Sequence, residues 1–220
     1  MIPEGYENKV YIVDNLLSDY VLNLIKRNIL GAPREMWQKH EDNEDYVKHR
    51  IELNSIQPSL TSHKYDAITS SVTDALFSKS NMKEMQKIND WAYSSVNLTN
   101  VHSTSITSHI NGKPCGWHKN DINNFSGRIH SLNYILHIDI GNKFTGGELD
   151  VSYDNINEVP DGWYPESEPT VHQTVNYKDN RLVILPTDLW HTVRTIKTPT
   201  ELYEPLDGRI TINGHIGWKI

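Results

Sequence analysis

The chain has 220 residues, a formal net charge of −7 and a mean hydropathy of −0.58. That length supports one domain with a real core. Acidic and basic residues are mixed along it, without the sustained positive face that docking on a phosphate backbone needs, so no nucleic-acid partner is expected. No apolar run reaches membrane length and the first residues lack the charged and apolar regions of a secretion signal. Cys115 is the only cysteine, which rules out an intrachain disulfide. A soluble, cytoplasmic protein with no membrane partner is the expectation.

Val10 to Val13 reads as a short strand. Ser18 then caps a helix whose Val21, Leu22, Ile25 and Ile29 recur at helical spacing until Gly31 and Pro33 end it. The stretch from Arg34 to Asn54 is polar and densely charged between His40 and Arg50, as in a solvated strand pair or loop, or a rim that faces a substrate. Tyr65, Ile68, Val72 and Leu76 mark a second helix, and Met82, Met85, Ile88, Trp91 and Ala92 a third; both stripes are suited to core packing.

From Leu98 onward the pattern changes to short β-like runs separated by Gly, Asn and Asp. Helices come first and strands afterwards. The clearest alternation places Leu132, Tyr134, Leu136, Ile138 and Ile140 on one face, with Ser131, Asn133, Ile135, His137 and Asp139 on the other. One face packs and the opposite one meets something polar. Phe144 to Leu149 is a glycine-containing turn leading into a strand, and Asp154 to Asn176 a long acidic insertion of the kind that forms lids or excursions. Arg181 to Leu185 is a compact buried strand, Trp190 to Ile196 is extended, and Arg209 to Asn213 closes the series with Arg209, Thr211 and Asn213 on one side. There is no internal repeat, low-complexity tract or interdomain linker.

Two strand-borne histidines stand out. Gly116-Trp117-His118-Lys119-Asn120-Asp121 supplies the first, with an acid beside it, and Leu189-Trp190-His191 the second. Two imidazoles and one carboxylate leave part of a metal's coordination sphere open, which is what a mononuclear non-haem Fe(II) centre needs to accept an oxidant and a co-substrate.

The sequence resembles the Fe(II)/2-oxoglutarate-dependent dioxygenases, most closely their prolyl 4-hydroxylase-like branch. The resemblance runs from Ser105 to Trp218 and is carried by Trp117-His118 followed by an acid, Arg128 through Leu136, Gly146-Gly147-Glu148-Leu149, Arg181 through His191, and Gly208-Arg209-Ile210-Thr211. It implies an α+β, mainly β protein. The core would be a double-stranded β-helix (jelly-roll or cupin-like) braced by N-terminal helices. The expected organisation is one oxygenase domain over 1–220, with 1–100 as helical support and 101–220 as the β-helix core carrying the metal site. The implied metal ligands are His118, Asp121 and His191. Arg209 and Thr211 would hold the distal carboxylate of 2-oxoglutarate, since a guanidinium matches a carboxylate bidentately. Asn133 lies on the strand where many relatives contribute a tyrosine to 2-oxoglutarate. Ile135 takes that tyrosine's position, and Tyr134 points to the opposite face.

The chain departs from the family pattern His-x-Asp, because Asn120 stands in the third place and the carboxylate follows at Asp121. Side chains two apart share a strand face, so an unbroken strand aims Asn120 at the metal, whereas a bulge or turn after His118 re-aims Asp121. Both readings stay open. The implied activity is hydroxylation of an unactivated C–H bond, in prolyl or another residue of a peptide or protein or in a small molecule. Fe(II), 2-oxoglutarate and O2 are consumed or used, and succinate and CO2 released. The alternative is a non-catalytic β-helix binding module with a degraded metal site. A zinc hydrolase fits less well, since no His-Glu-x-x-His occurs and Arg209-x-Thr211 would have no role.

Overall fold

The computed structural model describes residues 9–43, 46–53, 62–93, 98, 100–112, 116–120, 123–124, 128–159, 164–199 and 204–219. A short strand β1 (Tyr11–Asp14) leads to Ser18, whose hydroxyl accepts from the Val21 N–H and opens helix α1 (Asp19–Leu30). A cap of this kind contributes about 1 kcal/mol. Leu22, Ile25 and Ile29 face inward at helical spacing, and the Gly31 N–H closes the helix on the Arg27 carbonyl. The charged stretch that follows forms a hairpin, β2 (Gln38–Asn43) and β3 (Tyr46–Glu52), a strand pair and not a loop. Helices α2 (Ser62–Leu76) and α3 (Lys79–Tyr93) come next and bury Ile68, Val72, Leu76, Met85 and Ile88, as their spacing predicts.

The β region contains β4 (Asn100–Ile110), β5 (Asn123–Asn124), β6 (Arg128–Ile138), β7 (Leu149–Ser152), β8 (Gln173–Val175), β9 (Arg181–Pro186), β10 (Trp190–Val193) and β11 (Arg209–Lys219). The major sheet runs β1-β9-β6-β11-β4-β3-β2, with β5 beside β6, and a smaller sheet runs β10-β7-β8. All the pairings are antiparallel. The first hundred residues are therefore more than helical support, because β1, β2 and β3 extend the major sheet at both edges. The last strand runs on to Lys219, well beyond Asn213, through register shifts next to Gly214 and Gly217. Those glycines interrupt the apolar alternation from which its length would be read.

Two apolar clusters follow from the alternation. On the outer face of the major sheet, Leu132, Tyr134, Leu136, Ile138, Leu182, Ile184, Ile210 and Ile212 pack with the helical Ile25, Ile29, Ile68, Leu76 and Met85. Tyr134 belongs to this face, and its hydroxyl donates to Thr104 Oγ1 at 2.9 Å. Between the sheets, Leu149, Val151, Val175, Val183, Leu185 and Leu189 make a second, smaller core. Each fully buried Leu, Ile or Val contributes roughly 1.5–3 kcal/mol. The architecture is α+β and mainly β, with a double-stranded β-helix core.

Candidate metal and 2-oxoglutarate site

The inter-sheet space that the small core leaves unfilled is a cavity of about 220 Å3. His118 and His191 enter it as a directly opposed pair. The His118 N–H donates to the His191 carbonyl at 3.1 Å and the His191 N–H returns the bond at 3.0 Å. Opposed residues of an antiparallel bridge project to the same side, and the two rings lie 4.3 Å apart between centroids.

The rings are also oriented. Nδ1 of His118 lies 3.0 Å from the Gly116 carbonyl, and Nδ1 of His191 lies 2.8 Å from the Leu189 carbonyl. A carbonyl only accepts, so in both rings Nδ1 carries the proton and Nε2 keeps its lone pair. Burial lowers both pKa values, that of His191 to about 3 with the neighbouring His118 as a further cause. Two neutral imidazoles with Nε2 available are the donor set a divalent transition metal takes, and backbone carbonyls on Nδ1 are the supports that hold such ligands in place.

Of the two candidates for the third position, Asn120 is the one seen at the site: its side-chain amide lies 3.3 Å from Nε2 of His191. Its backbone is held by the Asn120 N–H donating to the Thr187 carbonyl at 2.9 Å. Asp121 lies outside the described residues. Among the described residues, no three His, Cys, Asp or Glu side chains converge on a metal position.

Farther along the cavity stands Arg209, 1% exposed. On β11 it is registered with His109 of β4, while Thr211 is flanked by Thr107 of β4 and His137 of β6. The guanidinium carbon sits 5.4 Å from the Tyr177 ring centroid, and Tyr177 stacks on His137 with centroids 4.7 Å apart. The Tyr177 hydroxyl donates to the Ile138 carbonyl at 2.6 Å. Burial and the adjacent Arg209 charge push the His137 pKa down to about 2, so the imidazole beside the guanidinium is neutral. Its Nδ1 faces the Lys178 N–H and its Nε2 faces Arg209 Nη2, each at 3.3 Å. A neutral imidazole accepts at only one nitrogen, so these two contacts are not hydrogen bonds at the same time.

The double glycine serves this arrangement. Gly146 and Gly147 both have φ of +79°, and a Cβ on Gly147 would sit 2.7 Å from Cδ of Arg209. On Gly146 it would run into the Thr195 carbonyl. The turn is thus a backbone device that lets the chain pass against the arginine.

The structure brings His118, His191, Asn133, Arg209 and Thr211 into one cavity. Asn133 is buried with neither amide atom hydrogen-bonded, and Thr107 Oγ1 is likewise buried without a partner. Unsatisfied buried groups of this kind cost about 1–3 kcal/mol each, and a ligand in the cavity would satisfy them. Ile135 also lines the cavity, on the face that the alternation assigns to it. Sequence reasoning missed Lys48, Arg50, Thr107, His109 and His215, which line it as well, and His137 and Tyr177 behind Arg209. The alternation in Lys48-His49-Arg50 and Thr107-Ser108-His109 was the available signal. Trp190 is buried beside His191, and the Lys119 ammonium lies 4.5 Å from its ring centroid.

No protein-family profile matches the chain, and no curated protein matches it. Solved structures do. A 2OG-Fe(II) oxygenase family oxidoreductase from Burkholderia pseudomallei aligns over 96% of this chain and 85% of its own, with a TM-score of 0.56 and 12% identity. The chain has the fold of the 2OG-Fe(II) oxygenases. A prolyl hydroxylase from Trichoplax adhaerens, in complex with a hypoxia inducible factor peptide fragment, aligns over 96% and 84% with a TM-score of 0.61 and 12% identity. A Pseudomonas putida prolyl-4-hydroxylase aligns over 98% and 96% with a TM-score of 0.57 and 13% identity. Within this oxygenase fold, the cavity described above lies between the two sheets of the β-helix core. No helix among the described residues is long and apolar enough to cross a membrane.

Proposed function

We propose that this protein is an Fe(II)- and 2-oxoglutarate-dependent dioxygenase. The observation that carries the reading is the pair of Nδ1-anchored imidazoles of His118 and His191, in one cavity with a buried Arg209 and Thr211. The two Nε2 lone pairs would hold the iron. The third place falls to the segment just after His118, where the Asn120 side chain stands with its amide nitrogen toward His191 Nε2 and would turn its oxygen to a metal, and where Asp121 is the carboxylate offered by the sequence.

With 2-oxoglutarate and O2, bound iron supplies the oxidising power to hydroxylate an unactivated C–H bond, with release of succinate and CO2. The residues of the chain bind and orient. Arg209 receives the distal carboxylate of 2-oxoglutarate, the Thr211 hydroxyl, which donates to Asn213 Oδ1 at 3.3 Å, turns its one O–H to that carboxylate when it binds, and the neutral His137 and the Tyr177 ring keep the guanidinium in place without competing for it as an anion would. Asn133 offers an amide with both ends open. Ile135, Leu149 and Val193 give the cavity an apolar wall, and polar contacts made against such a wall are stronger than in water. A prolyl or other peptidyl substrate is the class suggested by the likeness to prolyl hydroxylases, one of them holding a peptide.

A second reading, a binding module without turnover, draws on one observation: an amide stands where the family pattern has a carboxylate. Anaerobic titration with Fe(II) and 2-oxoglutarate, followed by oxygen, separates the two. The oxygenase gives an absorption band on mixing and then succinate; absence of both leaves the module.

A further inference from the structure

The cavity carries more positive charge than one co-substrate uses. Besides Arg209, it is lined by Lys48 and Arg50, which lie two apart on β3 and hence share one face. Among the described residues that line it none is a carboxylate, although the chain as a whole has a net charge of −7. No hydrogen bond or ion pair among the described residues holds the Lys48 ammonium. Arg50 pairs through Nε with Glu52, which does not line the cavity, and a guanidinium keeps four further N–H donors.

The register separates these cations from the one proposed for 2-oxoglutarate. Lys48 is paired with His109, and His109 with Arg209; Arg50 is paired with Thr107, and Thr107 with Thr211. Lys48 and Arg50 are therefore two strands away from Arg209 and Thr211, about 10 Å across the sheet. One short anion cannot be gripped at both places in the same way. Thr107, whose buried hydroxyl has no partner, lies between them.

We propose that Lys48 and Arg50, with Thr107, form a second anion subsite that binds a carboxylate of the substrate, so that the preferred substrate is acidic. This rests on the oxygenase reading for its chemistry but not for its binding. A cavity of about 220 Å3 is small beside the roughly 300–1,000 Å3 of pockets for drug-sized ligands. With 2-oxoglutarate on Arg209, the space left beside Lys48 and Arg50 suits only a short acid group, that of a free acid of a few carbons or of a single acidic side chain presented by a peptide.

Calorimetry on the full chain with anaerobic Fe(II) and saturating 2-oxoglutarate tests this with isosteric pairs: glutarate against glutaramide, and a blocked tripeptide with central Glu against its Gln counterpart. At least one acid is expected to bind tenfold or more tighter than its amide, and the pair that does so tells a free acid from a peptide. Lys48→Met and Arg50→Gln, each with an unchanged melting temperature, should abolish the preference and leave 2-oxoglutarate affinity within twofold. No preference in either pair, with 2-oxoglutarate bound normally, overturns the subsite and spares the oxygenase reading. An acid preference that is lost in Lys48→Met although 2-oxoglutarate never binds keeps the subsite and removes the oxygenase reading. A preference that survives both substitutions overturns the assignment to these residues.

Discussion

Asn120 places its side-chain amide 3.3 Å from Nε2 of His191, on the lone pair that a metal would take. A metal ion arriving there must displace the amide or bind it through the oxygen. Asn120→Ala is expected to lower Fe(II) affinity by about ten- to a hundredfold, the size of effect usual for groups that support a metal site. Asp121→Ala, titrated in parallel, is the control that matters. A loss confined to Asp121→Ala would identify the carboxylate as the ligand instead.

His191→Ala should abolish 2-oxoglutarate turnover without unfolding the chain, since the ring lines the cavity with Nε2 beside Asn120 and its Nδ1 is anchored on the local Leu189 carbonyl. Succinate formation is the assay and circular dichroism the check on folding. Retained turnover would take His191 out of the ligand set.

Arg209→Ala is expected to weaken 2-oxoglutarate binding by more than about thirtyfold, roughly 2 kcal/mol, as when one partner of a buried charge pair is truncated. Fe(II) affinity should stay nearly constant. Equal losses for the two ligands would argue against an anchoring role.

Gly147→Ala tests the same end of the cavity from the backbone. The new Cβ meets Arg209 Cδ, and a φ of +79° is strained for any L side chain. A loss of about 1–3 kcal/mol in stability is expected from the strain, together with weaker 2-oxoglutarate binding as the arginine shifts. Thermal unfolding and calorimetry read the two effects; an unchanged affinity would mean that the arginine tolerates displacement.

At the sheet edge, Asp14 is paired across β1 and β9 with Arg181, which bonds both carboxylate oxygens, and Lys178 adds a further contact. The Arg181 bonds, then the Lys178 bond, hold the Asp14 pKa well below the usual carboxylate value. A depressed carboxylate stabilises the fold above its unfolded pKa of about 4, and that contribution fades as pH falls below it toward the folded value. Asp14→Asn should therefore flatten the acid side of the stability profile in urea unfolding between about pH 5 and pH 2 and lower stability at pH 7. An identical slope in the variant would show that the pair contributes nothing measurable.

Much of the scaffold is legible in local order. The stripe of Leu22, Ile25 and Ile29 announces a helix, and the alternation from Leu132 to Ile140 assigns Tyr134 to the packed face and Asn133, Ile135 and His137 to the other. The hairpin of β2 and β3 was less legible, because polar residues dominate it and strand signals rest on apolar alternation. The full length of β11 was hidden by its glycines.

Periodicity and chemical type, carried by the sequence itself, determined which face each segment hides and that His118, His191 and Arg209 are unusual in their places. Only the tertiary structure decided which exposed faces meet. Setting β11 between β6 and β4, with β3 beyond, puts Lys48 and Arg50 into the same cavity as Arg209, and the bridge between His118 and His191 sets the two rings side by side, each with Nδ1 on its own local carbonyl. The reason is physical: a side chain's direction follows from the pleat of its own strand, whereas its neighbours depend on long-range pairing that no local pattern encodes.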